Sequence, residues 1–382
     1  MNILYIANVR LPTERAHGYA IMKLCEEFAR VGNTVTLLTS AHRATAGKAG
    51  EDPFLYYGIE KNFTLRRVRS TDLLGRSTNV GRFSYWIDQL SFVLMAWLCF
   101  GRAILRADVL YVRSYQLAAC LPARKTALEL HSVPEGARAG GLFARAVRRA
   151  RWCVAISSGL AEAVRRMLGD GTRKIAVAPD AVDLAKFSAL PSRDEARRTL
   201  GLPADKKIAL YAGHFYGWKG ADVLAAAAAH LPEDVLCVLV GGVDEDYERM
   251  VREYGSRENI RIVPFQPPQM MPQYLAAADV VVLPNRSGER ISSIYTSPLK
   301  LFEYMASGRP IVASDLPSIR EVLDERTAIL VHPDDPAALA AGIREALTDS
   351  ARAAVLTKAA SEKVRHYTWE NRAAGILLEL GK

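Results

Sequence analysis

At 382 residues, half of them hydrophobic and 24% charged, the chain is long enough for two ordinary domains and excludes a disordered or fibrous class. Five cysteines (Cys25, Cys99, Cys120, Cys153, Cys237) are odd in number, widely spaced and free of CxxC or Cys/His clustering. This excludes a disulfide or zinc framework and fits reduced residues in a cytoplasmic protein. The net charge of +9 is uneven: residues 1–185 hold 26 Lys+Arg against 15 Asp+Glu, and the remainder 24 against 26. A basic first half faces something anionic. Nucleic acid is the weaker option for that partner and is not expected, because no helix-turn-helix, RNA-binding or zinc-finger pattern accompanies the charge.

In chain order, Met1–Asn8 lacks a basic n-region, and its apolar run is too short for a signal peptide; it reads as a first buried strand. Further strands are expected at Thr34–Thr39, Phe63–Val68, Val109–Arg113, Ala127–Leu130 and Trp152–Ile156. A helix over Gly18–Val31 places Ile21, Leu24, Cys25 and Phe28 on one face. The most hydrophobic segment, Leu90–Phe100, is bounded by Asp88 and Arg102 and falls short of the roughly 20 residues of a spanning helix. It reads as a buried core helix, with a membrane-surface helix as the alternative. The densest basic cluster is Arg138, Arg145, Arg148, Arg149 and Arg151. Two readings stand for it: a solvated helix face, or a surface for an anionic membrane or acceptor.

Ala176–Asp183 closes the first half, and the polar stretch Ser188–Asp205 reads as a connection. Strands then resume at Lys207–Gly213, Val235–Val240, Ile260–Pro264, Val280–Pro284, Ile311–Ser314 and Ala328–Val331, with an alanine-rich helix at Ala221–His230. The most telling stretch runs from Tyr295 through Ser297-Pro298 and Glu303 to Pro310. It is bracketed by two apolar strands, so its helix begins at the carboxyl end of a parallel sheet, where ligands bind. Free N–H groups at such a start suit a phosphate, and Glu303, one turn on, is placed to accept from sugar hydroxyls. The fold class is therefore α/β, with two doubly wound domains expected to face each other across a cleft.

These residues resemble the retaining glycosyltransferases of family 4 (glycosyl transferases group 1), with the GT-B fold. The likeness rests on Pro12–Gly18, Glu129-Leu-His131, Ala178–Asp183, Tyr211–Gly220, Tyr295–Pro310 and Tyr367–Glu370, and it covers nearly the whole chain. It implies an acceptor-binding Rossmann-like domain at 1–185, a nucleotide-sugar domain at 186–365, and a final helix within 366–382 that packs back on the first domain. The implied enzyme is a retaining, metal-independent hexosyltransferase of glycolipid, polysaccharide or other cell-envelope glycan synthesis. Its donor would be a nucleotide-diphosphate sugar, UDP first, and its acceptor lipid-linked, saccharide or small-molecule. No cofactor is implied, and the expected location is cytoplasmic, peripheral on the inner face of the membrane. A non-catalytic nucleotide-sugar binder or scaffold is the alternative, and a nucleotide-sugar epimerase the second.

The resemblance assigns catalytic roles to Gly18, whose bare backbone would approach a phosphate, to Lys219 on the diphosphate and to His131 on a hydroxyl of the donor sugar. It assigns donor binding to Glu303 (ribose), Lys300, Ser297 and Leu299. Phe265 has two readings, beside the base or in the core. Two positions depart from the family pattern: His214 stands where an arginine is frequent, and Tyr295 where a glutamate commonly touches the sugar. Arg286 and Arg290 are further candidates in the loop. Asp244-Glu-Asp246 resembles a metal-binding DxD but reads as the acidic start of a helix.

Overall fold

The computed structural model describes residues 1–42, 50–71, 82–169 and 174–381, the side chains of 82–86 and 137–138 excepted. The chain divides into two compact units, Met1–Pro179 with Trp369–Lys382, and Asp180–Thr368. The division falls at Pro179 rather than 185, because Val182 already bridges Thr368.

The first unit holds strands β1 (Asn2–Ala7), β2 (Thr34–Ser40), β3 (Thr64–Val68), β4 (Val109–Val112), β5 (Thr126–Leu130), β6 (Trp152–Ala155) and β7 (Ile175–Val177). Its helices are α1 (Ala16–Arg30), α2 (Pro53–Tyr57), α3 (Arg82–Arg106), α4 (Tyr115–Ala119), α5 (Ala137–Arg149) and α6 (Ser158–Leu168). The second unit continues with α7 (Arg193–Leu200), β8 (Lys207–Ala212), α8 (Ala221–Ala227), β9 (Val235–Gly242), α9 (Asp244–Tyr254), β10 (Ile260–Pro264), α10 (Met271–Ala277), β11 (Val280–Leu283), α11 (Leu299–Ala306) and β12 (Ile311–Ser314). It closes with α12 (Pro317–Arg320), β13 (Ile329–Val331), α13 (Pro336–Thr348) and α14 (Ser350–Lys363), after which α15 (Trp369–Leu380) belongs to the first unit.

Both sheets are parallel, in the orders β3-β2-β1-β4-β5-β6-β7 and β10-β9-β8-β11-β12-β13. Strand order reverses between β1 and β4 and between β8 and β11, so each unit has a switch point at the carboxyl ends of those strands. The central strands are buried on both faces, which explains their unbroken apolar runs (Val235–Val240, Val280–Leu283). With this topology and register the chain has the GT-B architecture of two doubly wound parallel sheets.

Three expectations change. The stretch Ser188–Asp205 contains α7, which Ser192 caps by accepting from Glu195 N and which Gly201 ends at φ 60°. β7 is a three-residue edge strand that includes Ala176 and Val177, too short to give an alternation signal. The apolar segment at Leu90–Phe100 is part of the longer α3, which rests on β1, β3 and α4 but leaves one face in solvent, so it is not a buried core helix.

Candidate functional site

In the second unit, Lys219, Lys300 and Glu303 lie around the β8/β11 switch point. β8 ends in Ala212, whose amide donates to Tyr304 Oη (2.8 Å), and Gly213 then leaves the strand at φ 141°. The His214 ring is buried and lies flat against Tyr216 (centroids 5.1 Å, planes 6° apart) and Phe265 (6.2 Å, 18°). The Tyr211 hydroxyl donates to His214 O at 2.7 Å and holds the loop to the strand.

Lys219 ends the short turn Gly217–Lys219, with Nζ 5.1 Å from the Tyr216 ring and 5.2 Å from Trp218. Two groups fix that turn from below: Arg286 N and Ser292 Oγ both donate to Trp218 O, at 3.0 and 3.1 Å. Gly220 follows at φ 70°, and a Cβ there would lie 1.8 Å from Pro284 O, so only glycine lets the turn press against the end of β11. Burial pushes the Lys219 ammonium down to about 8.

Lys300, in the first turn of α11, is buried with Nζ 3.8 Å above the Tyr211 ring. Among the described residues it has no hydrogen-bond partner. Burial first, and then Lys219, hold it well below the ordinary lysine range, while Glu303 opposes them. Burial raises the Glu303 carboxyl, with Lys186 and Lys300 pulling the other way. Two ammonium groups with no carboxylate hydrogen bond among the described residues thus converge on one switch point, an arrangement that costs stability until an anion fills it.

The first unit has its own polar cluster. Glu129 lies in the middle of β5 and is 2% exposed, so its charge needs partners. It receives hydrogen bonds from Tyr111 Oη and Arg372 Nη2 (3.0 Å), and His131 Nε2 lies 2.6 Å from its other oxygen. Arg113, at the end of β4, brings Nε to 2.9 Å from His131 Nε2. Burial alone would raise the Glu129 carboxyl, but Arg372, His131 and Arg113 together hold it well below the usual carboxylate range. Arg372 comes from α15, where it also donates to Ala178 O and Pro179 O. A cavity opens over this cluster, lined by Arg113, Gln116, Glu129, His131 and Phe143.

Residues 192–363 match the family described as Glycosyl transferases group 1. The matched stretch lies within the second unit and covers less than half of the chain. The chain is 32% identical over 229 residues to a D-inositol 3-phosphate glycosyltransferase of Xylanimonas cellulosilytica, a match covering 57% of this chain and 53% of that one. With the corresponding protein of Streptomyces avermitilis the identity is 30%, over 53% and 45% of the two chains. The chain spans about half the length of the curated relatives it matches. Among solved structures, sucrose-phosphate synthase of Thermosynechococcus elongatus superposes with a TM-score of 0.77 at 22% identity, covering 99% and 98% of the chains. The Anabaena protein HepE in complex with UDP superposes at 0.74 with 17% identity over the full length of both. These two likenesses concern the fold.

In the second unit, Lys219, Lys300, Glu303, His214, Tyr211 and Phe265 all stand after the carboxyl ends of strands, at them, or on the helix that follows β11. Phe265 is partly exposed and lies against His214. Tyr295 is buried, with the Arg290 guanidinium 5.4 Å from its ring, and ends a π-helical turn at Ile291–Tyr295. Ser297 Oγ accepts from Asp180 N (2.9 Å), and Leu299 opens α11. Arg286 is taken up by Asp222 and by Asp334 (3.7 Å), which removes it as a free cation for a ligand. Asp244–Asp246 form the first turn of α9, where carboxylates meet the positive end of the helix.

Gly18 has a packing reason of its own. A Cβ there would lie 2.2 Å from Tyr57 Oη and 2.6 Å from Thr13 Cγ2. Tyr57 Oη in turn donates to Thr13 O (2.9 Å) and accepts from Thr13 N (2.8 Å). Gly18→Ala is therefore expected to cost about 1–3 kcal/mol in urea unfolding, and less in a Tyr57→Phe background; equal costs in both would remove Tyr57 as the cause.

Glu129, Arg113, Arg372 and Tyr211 were not singled out for roles from sequence. A glutamate inside the apolar run Ala127–Leu130 was the available signal, since a carboxylate inside a buried strand demands a cation.

Proposed function

We propose that the chain is a glycosyltransferase that moves a sugar from a nucleotide-diphosphate donor to an acceptor hydroxyl, with retention and without a metal. The observation that carries this reading is Lys300 Nζ, buried and without a hydrogen-bond partner among the described residues, beside Lys219 at the β8/β11 switch point. A diphosphate supplies the missing negative charge, and its departure as a leaving group is the charge development such cations stabilise. Glu303, on the next turn of α11, is suited to the ribose hydroxyls, and the aromatic stack of Tyr216, His214 and Phe265 to the base. The UDP complex of HepE supports uridine as the first base to try.

The first unit is assigned the acceptor. Its cavity is lined by hydrogen-bonding groups of Arg113, Gln116, Glu129 and His131, and the names of the relatives include a phosphorylated polyol. Both favour an acceptor that carries hydroxyls and negative charge. Its basic surface supports action at an anionic membrane in the synthesis of a cell-envelope glycan.

Calorimetry with UDP, GDP and ADP in the presence of EDTA tests the donor site. Tight binding of one diphosphate is expected, and no binding of any would overturn the reading. The pH dependence follows from Lys219. Its ligand-free value of about 8 rises when a diphosphate binds, so binding takes up a proton above that pH. Affinity should hold constant below about pH 7.5 and weaken by up to about tenfold per pH unit above 8. Buffers of different ionisation enthalpy should report that uptake at pH 8.5, and its absence in Lys219→Met would assign it.

A further inference from the structure

The outer face of α3 is apolar and unpartnered. Leu90, Leu94, Leu98 and Leu105 are 57, 59, 71 and 60% exposed. Before the non-helical Phe100 (φ −127°, ψ 16°), Leu90, Leu94 and Leu98 fall at 100° per residue within an arc of about 80°. Phe92 and Ala96, on the opposite side of that part, are buried, and so is Ile104 beyond the break. By length and hydropathy Ile87–Arg106 could cross a membrane, but its inner face is committed to β1, β3 and α4. An amphipathic helix of this kind lies in an interface rather than through it.

The carboxyl end of the same helix is ringed by cations. Arg102 and Arg106 are exposed on its flank. Lys125 Nζ donates to Leu105 O and Ala107 O, both at 2.8 Å, which brings the exposed Arg124 beside the helix end. Arg151 N donates to Ala123 O (3.1 Å), placing a further exposed arginine in the group. Against them, residues 87–107 and 120–126 contain one carboxylate, Asp88, which is 4% exposed. Asp108, just past the helix, is held at Asn2 N (2.7 Å).

We propose that α3 docks this protein on an anionic phospholipid surface. The leucine stripe enters the headgroup boundary, and Arg102, Arg106, Arg124, Lys125 and Arg151 bind lipid phosphates. Charge complementarity selects this occupant over a second copy of the chain. An α3-to-α3 contact offers the basic end no exposed carboxylate on the partner helix, whereas a phospholipid surface offers many. The inference deepens the proposed peripheral association, but it shifts the anchoring from the α5 arginines to α3 and does not depend on the transfer reaction. Of the α5 cluster, Arg138 has a side chain outside the described residues, and Arg148 Nη2 donates to Leu168 O (3.1 Å).

The test is co-sedimentation of the full chain with vesicles of phosphatidylcholine alone and with added phosphatidylglycerol. Binding to the anionic vesicles is expected, weakening with salt. Leu94→Glu with Leu98→Glu should abolish it, and each of Arg102→Gln, Arg106→Gln and Arg151→Gln should weaken it roughly fivefold. All these positions are exposed, so thermal melts should match the parent; the arginine series decides if the double glutamate variant fails to fold. No vesicle binding, binding unchanged in both series, or a dimer dissolved by Leu98→Glu in a protein indifferent to lipid would each overturn the proposal. Loss of binding on changing Arg145, Arg148 and Arg149 to glutamine, with the α3 variants unaffected, would overturn it in favour of α5.

Discussion

Lys300→Met is expected to raise the melting temperature of the ligand-free protein while lowering its affinity for a nucleoside diphosphate by about 100-fold. The two effects share one cause. Lys300 is buried over the Tyr211 ring with no hydrogen bond among the described residues, and Lys219 repels it. Methionine fills the same space without a charge to desolvate, and substitutions of this kind are often stabilising by about 1–4 kcal/mol. A charge-assisted contact to a phosphate, worth about 1.5–3 kcal/mol, is lost in exchange. Calorimetry and a thermal melt on the same sample read both. A variant that loses stability as well as affinity would show that Lys300 is already paired in the free protein. If the transfer reaction is also correct, Lys219→Ala should lower turnover by about two to three orders of magnitude, the scale of one lost oxyanion-type contact.

Arg372→Ala is the change expected to damage the fold most. It removes the partner of a carboxylate that is 2% exposed and strips two donors from Ala178 O and Pro179 O. Breaking a buried pair from one side typically costs about 3–5 kcal/mol, and the remaining contacts of Glu129 with Arg113, His131 and Tyr111 place this case near the lower end. Glu129 is held below the usual carboxylate range in the folded protein, so its contribution is present above the unfolded value near pH 4 and is lost as pH falls further. The cost of Arg372→Ala should therefore be fully developed at pH 7 in urea unfolding. Adding Glu129→Gln should recover part of it. If the double variant were no more stable than Arg372→Ala alone, the charge pair would not be what the arginine protects.

The strands were the most legible part of the chain. In a parallel sheet covered on both sides, every residue of a run such as Val235–Val240 is buried, so the run is long and apolar. The edge was harder: β7 has three residues, and Val177 is 40% exposed. The missed α7 carried readable signals in Ser192, Asp194, Glu195 and Gly201, obscured by the Pro-containing polar stretch around it. In the site, the positions of Lys219 and Lys300 after strands follow from the βα pattern, but the lack, among the described residues, of a hydrogen-bond partner for Lys300 does not. That property depends on what other segments fail to bring near it. The opposite holds for Glu129, whose cation lies 243 residues away in α15. No local pattern encodes such a pairing. Gly18 illustrates a third limit: its lack of a side chain is set by Tyr57, on a helix reached through a different strand.

The placement of α15 has a consequence for how the protein is made. The seven strands of the first unit are all translated by Val177, yet the helix that packs on α1 and β6 and supplies Arg372 begins at Trp369. While the ribosome works through the second unit, the nascent first unit must hold Glu129 without its principal counter-charge. The second unit, continuous from Asp180 to Thr368, carries no such debt and can mature as it emerges. The half whose strands are synthesised first thus waits for a segment synthesised after the second unit, the helix α15 at Trp369–Leu380.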